Sequence, residues 1–85
     1  MTTFGSRLKR LREDKGLTQE QLGKVLNVKK AAVSKYENEN TSPDNATLCR
    51  LADFFSVTVD YLLGRTDDPS PIDDDRQHVN DDDAL

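Results

Sequence analysis

Apolar residues recur at helical spacing through the first three quarters of the chain and lose any period after it. Phe4, Leu8 and Leu11 share one helix face, and Gly16 follows Lys15 where a C-terminal cap fits. A second helix is predicted to open at "LTQEQL". Thr18 can cap it, Gln21 stands three residues on as in a capping box, and Leu17 can staple to Leu22. Leu22, Val25 and Leu26 form its apolar face. Asn27 follows at once, a residue type that tolerates a left-handed backbone, and leaves room only for a tight turn. The next stretch, "NVKKAAVSKYENE", sets Val33 and Tyr36 three apart with lysines and Ser34 around them. A fourth helix is predicted from about Asp44, just after Pro43, with Leu48, Leu51, Ala52 and Phe55 on one face. A fifth, short helix has Thr58 as its cap, a Val57–Leu62 staple and Gly64 as its stop.

No stretch alternates as a strand, so the expected fold class is all-α with five helices. Phe4, Leu8, Leu11, Leu22, Val25, Val33, Leu48, Leu51, Phe55, Val59 and Leu62 form the expected core, with Tyr36 at its edge. Cys49, between Leu48 and Leu51, reads as a small buried hydrophobe rather than a nucleophile.

Composition divides the chain in two. Residues 1–65 hold eleven Lys and Arg against eight Asp and Glu, a net of +3, whereas residues 66–85 hold Arg76 against eight aspartates, a net of −7. The overall −4 therefore hides a mildly basic domain, 1–65, followed by an acidic tail, 66–85. "TDDPSPIDDDRQHVNDDDAL" has no apolar period and is expected to be disordered. Its root-mean-square span of about 25 Å would let it reach a basic face and compete there with an anionic partner. A solubilising leftover, a protease-recognition end at Ala84-Leu85 and truncation of a longer protein are other readings of the same segment. No apolar run is long enough to span a bilayer, "MTTFGSRLKR" lacks a signal-peptide core, and the lone cysteine fits a reducing compartment. A cytoplasmic protein without membrane attachment is expected.

Two short helices joined by a tight turn, within a five-helix unit, raise the possibility of a helix-turn-helix. That device needs one helix to cross the DNA backbone while the next lies in the major groove. Gly23 supplies the small residue for close approach, Asn27 the turn, and Val33 and Tyr36 the inward face of the second helix. At this point "LTQEQL", "VSKYENE", "SPDNATLCRLADFF" and "VTVDYLLG", in order and correctly spaced, resemble the lambda-repressor-like (Cro/cI, Xre-type) regulators of bacteria and temperate phages. The resemblance covers about residues 4–64.

The resemblance implies a five-helix lambda-repressor-like DNA-binding domain and a set of site residues. Lys30, Ala31, Ser34 and Lys35 fall where the family reads base edges; lysine can donate to guanine and alanine can touch a thymine methyl. Gln19, Asn38, Asn40 and Thr41 fall where it contacts or positions the phosphate backbone. Arg12 and Glu37 resemble a structural pair between the first helix and the recognition helix. Lys29 departs from the pattern: it stands where Ser, Thr or Asp would cap better, and a lysine there opposes the helix dipole by about 0.3–1 kcal/mol. A facing phosphate would offset that cost and makes Lys29 a candidate phosphate contact. Without the motif the three lysines read as a solvated face; with it they read as DNA contacts.

The resemblance implies a sequence-specific transcriptional regulator of the phage or mobile-element repressor kind, bound as a dimer to a two-fold-symmetric operator in the nucleoid of a bacterial host cell. Phe54, Tyr61 and Leu63 are candidate residues of a homodimer interface. The rival class is a protein-interaction module in which the acidic tail docks a toxin or antirepressor partner. An enzyme is disfavoured. One cysteine and one histidine, His78 in the tail, build neither a zinc site nor a Cys–His catalytic pair, and the aspartate runs lack calcium-loop spacing. No catalytic residue, metal or cofactor is expected.

Overall fold

The computed structural model describes residues 3–69. Five α-helices follow one another: α1 (Phe4–Asp14), α2 (Gln19–Leu26), α3 (Lys30–Glu37), α4 (Asn45–Phe55) and α5 (Val59–Leu62). No strand occurs among the described residues. The fold is all-helical, as the apolar spacing implies.

The helix starts are written locally. Thr18 Oγ1 accepts from the Gln21 N–H at 3.0 Å and Gln21 Oε1 accepts from the Thr18 N–H at 2.8 Å, completing the capping box of α2. Thr3 and Ser6 do the same for α1, Asp44 accepts from the Thr47 N–H for α4, and Thr58 from the Tyr61 N–H for α5. Only α3 lacks a side-chain cap: Lys29 holds its N-cap position without one.

The helix ends share one device. Each is followed by a residue at positive φ: Gly16, Asn27, Glu39, Ser56 and Gly64. Around each, two backbone bonds close a Schellman turn, such as Asn27 N–H to Lys24 O at 3.3 Å and Val28 N–H to Gly23 O at 2.8 Å. Glycine and asparagine take this conformation readily, but for Glu39 and Ser56 it costs roughly 1–2 kcal/mol. Stopping five helices this tightly lets a short chain fold back on itself.

The core lies where the five helices converge. Leu8, Leu22, Val33, Leu51 and Leu62 are fully buried. Burying each side chain contributes about 1.5–3 kcal/mol relative to leaving it exposed. Leu26, Tyr36, Ala52, Phe55 and Val57 complete the cluster, and Phe4, Leu11, Val25 and Val59 pack on its rim, half-buried. Leu48 is also only half-buried, so the fully buried core is smaller than expected.

Cys49 is a correction. It is exposed, not buried. One residue beyond Leu48, it is rotated about 100° around the helix, away from the stripe formed by Leu51, Ala52 and Phe55.

The start of the acidic segment differs from expectation as well. Arg7, itself buried, donates to the carbonyls of Tyr61 at 3.0 Å and Thr66 at 2.8 Å, and pairs with Asp67 at 3.2 Å. Its guanidinium also stacks on the Tyr61 ring, 4.0 Å from the centroid. Thr66 and Asp67, grouped with the tail by composition, are thus held on α1. Residues 70–85, which carry the rest of that segment and the expectations attached to it, lie outside the described residues.

Candidate nucleic-acid interface

α2 and α3 meet at a glycine. A Cβ on Gly23 would lie 2.7 Å from the Val28 carbonyl oxygen, so no larger residue fits without moving the turn. Asn27 (φ 60°) then reverses the chain, and α3 starts three residues later. Val33 and Tyr36 face the core, fixing the rotation of α3 about its axis. The opposite face therefore presents Lys29, Lys30, Ala31 and Lys35, all exposed, with Ser34 half-buried beside them.

A buried ion pair fixes α3 from behind. Arg12 Nε donates to Glu37 Oε2 at 2.6 Å and Arg12 NH2 to Glu37 Oε1 at 3.2 Å. The third arm, NH1, donates to the Leu17 carbonyl at 2.8 Å. The two side chains are 11% and 3% exposed, which makes this an interior pair rather than a surface one. Hydrogen bonding to Glu37 outweighs the cost of burial and raises the Arg12 pKa above its already high ordinary value. One guanidinium thus ties α1, the loop before α2 and the end of α3 together.

Gln19, the first residue of α2, joins the same node: its Nε2 donates to Glu37 Oε1 at 3.1 Å. The bond orients the side chain, and its amide oxygen and second N–H are not used by it. Gln19 and Lys30 line one depression, together with Thr18 and Glu20. A second groove runs along the other flank of α3, lined by Lys29, Ala31, Ala32, Lys35, Tyr36, Asn40, Thr41 and Ser42. Asn38, Asn40 and Thr41 are exposed, and Asn38 Nδ2 donates to the Ser34 hydroxyl at 3.4 Å.

The structure therefore gathers the candidate base-reading and phosphate residues on one side of the molecule: α3, the first residue of α2 and the segment after α3. The candidate dimer residues lie elsewhere. Phe54 packs edge-to-face on Phe55 with Lys15 Nζ over its ring, and Tyr61 is stacked by Arg7; both are half-buried. Among the described residues, Leu63 is the large hydrophobic residue left exposed, at 40%. No cluster of His, Cys, Asp or Glu that could hold a metal occurs among the described residues. No helix among them is long and apolar enough to cross a membrane.

Two residues that tie distant parts of the domain together escaped the sequence reading. Arg7 anchors the C-terminal end of the domain, and Glu39 accepts from the Gly5 N–H of α1. Gly5, in the first turn of an otherwise amphipathic helix, was the one local sign of that close approach.

Known proteins share the helix-turn-helix sequence and this fold. The helix-turn-helix family profile matches residues 8–62. The chain is 43% identical over 68 residues to the HTH-type transcriptional regulator YobD of Bacillus subtilis (strain 168), covering 80% of this chain and 61% of YobD. It is 38% identical over 63 residues to the HTH-type transcriptional regulator ImmR of the same organism, covering 74% of this chain and 50% of ImmR. The chain thus spans only about half to three fifths of the length of these two relatives. Among solved structures, the P22 c2 repressor in complex with a synthetic operator superposes with a TM-score of 0.71 at 30% identity, covering 74% of this chain and 96% of that one. A transcriptional regulator from Listeria innocua gives a TM-score of 0.76 at 30% identity, covering 98% and 78%. With its five helices, the glycine-tight turn and the buried pair behind α3, the chain belongs to the helix-turn-helix family of the Xre/Cro–cI type.

Proposed function

We propose that this chain is a sequence-specific DNA-binding transcriptional regulator of the phage or mobile-element repressor kind. One observation carries the reading: α3 turns Lys29, Lys30, Ala31 and Lys35 to solvent while Val33, Tyr36 and the Arg12–Glu37 pair lock its inner side. A helix exposing cations and small residues from a rigid base suits the major groove. Lys30, Ala31, Ser34 and Lys35 are the base-reading residues in this account, while Gln19, Lys29, Asn38, Asn40 and Thr41 engage the backbone. The operator-bound P22 c2 repressor, a structural neighbour, supports the repressor class.

The chain acts as a homodimer on a two-fold-symmetric operator, because one small domain offers too few base contacts for strong discrimination. Half-sites about one helical turn apart are expected. Leu63, exposed beside Tyr61, supports an interface near α5.

Selection from a random duplex pool tests this directly. Enrichment of a two-fold-symmetric site, bound at least about 10³-fold more tightly than bulk DNA, is the expected result. Affinity should fall steeply with salt, since phosphate contacts release counterions. Failure to enrich any site would overturn the reading.

A further inference from the structure

Of the five residues that stop the helices, Glu39 is the one with a long, charged side chain. Its backbone is left-handed, φ 64°, where glycine or asparagine would serve more easily. The side chain is used instead. Its Oε2 accepts the Gly5 N–H of α1, 34 residues upstream. That N–H is one of the first-turn donors that a helix leaves without an internal partner, and a carboxylate there also faces the positive end of the α1 dipole. Gly5 makes the approach possible, since a Cβ would collide with the Glu37 carbonyl oxygen and lie 2.6 Å from Glu39 Oε2.

Glu39 stands between Asn38 and the Asn40–Thr41 segment, which lines the groove beside α3. Its own amide and that of Asn40 bond back to Tyr36 and Lys35 at 3.2 and 2.9 Å. The backbone of the turn is therefore tied to α3 and its side chain to α1. A carboxylate pointing the other way would meet DNA phosphates and repel them.

We infer that Glu39 is a positioning residue for DNA binding. Its carboxylate, held by the Gly5 N–H, braces the turn after α3 so that Asn40 and Thr41 are presented at the rim of the groove. The inference rests on the DNA-binding reading above, and its test separates the two.

Two variants suffice. Glu39→Gly keeps the left-handed turn without strain but removes the brace, so it folds. Glu39→Gln removes the charge but keeps an oxygen that can accept from Gly5. Amide exchange by NMR on the free protein should show the Gly5 N–H protected in the parent chain and in E39Q, and exposed in E39G. On the site that the parent chain enriches, E39G should bind about tenfold more weakly, because Asn40 and Thr41 must then be ordered on binding, with its melting temperature retained. E39Q should stay close to the parent. Unchanged Gly5 exchange in E39G would overturn the brace. Tighter binding by both variants alike would show that Glu39 acts only as a charge near DNA. If the parent enriches no site, the presenting role falls with the DNA reading, while Gly5 exchange still decides whether the brace exists.

Discussion

α2 and α3 are each eight residues long, pack against one another, and begin in opposite ways. α2 opens with a completed capping box at Thr18 and Gln21, whereas α3 opens with Lys29, no side-chain cap and no acidic residue in its first turn. The contrast separates stability from function within one motif. α2 supports itself locally. α3 leaves its first N–H groups open, places a cation where the dipole disfavours it, and depends on what lies behind it. A helix held from its inner side can leave its outer side and its start free for a ligand.

The largest expected effect comes from removing that inner support. Glu37→Ala leaves the half-buried Arg12 guanidinium without its bidentate partner and should cost about 1.5–3 kcal/mol. Chemical denaturation would check it, and a loss below 1 kcal/mol would mean that the pair does not hold α3. Thr18→Ala, which breaks the self-sufficient start of α2, should cost about 1 kcal/mol. That is a fall of roughly 4–8 °C in melting temperature for a domain of this size.

Lys29→Thr should work in the opposite direction for stability. It supplies the missing cap and removes the unfavourable charge, raising stability by about 1 kcal/mol. DNA affinity should fall meanwhile, with the slope of log affinity against log salt reduced by about 0.9 for one lost phosphate contact. If stability and affinity rise together, the open start of α3 has no role in binding.

The smallest effect concerns the cap of α4. Hydrogen bonds from Thr47, the side-chain bond first and the backbone N–H second, hold the Asp44 carboxyl below its ordinary pKa of 3.8. A lowered pKa in the folded state means that the stabilisation is present above the ordinary value and is lost as pH falls through the folded one. The difference in melting temperature between the parent chain and Asp44→Ser should therefore shrink on going from neutral pH into the acid range. The corresponding difference for Thr18→Ala, an uncharged cap, should not.

What could be read in the sequence was whatever acts over three or four residues. The Thr18–Gln21 box, the Asn27 turn, the start of α4 near Asp44, the cap at Thr58 and the apolar stripe of α4 are all short-range patterns. Arg7 and Glu39 were illegible for the complementary reason. Arg7 meets partners 54 to 60 residues away and Glu39 one 34 residues away, and no local pattern encodes such pairs. Arg12 and Glu37 are 25 residues apart and were anticipated only through the family resemblance. Cys49 failed differently: its neighbours Leu48 and Leu51 suggested burial, but adjacency along a helix is not adjacency on a face.

The account's central claim is that α3 reads bases through Lys30 and touches the backbone through Lys29. Binding of Lys30→Ala and Lys29→Ala across every single-base-pair variant of the enriched site tests it most directly. Lys30→Ala should flatten discrimination at one or two positions, while Lys29→Ala should weaken all sequences alike and reduce the salt slope by about 1. Uniform loss from Lys30→Ala, with every base preference intact, would contradict base reading by Lys30 and assign it to the phosphate backbone instead.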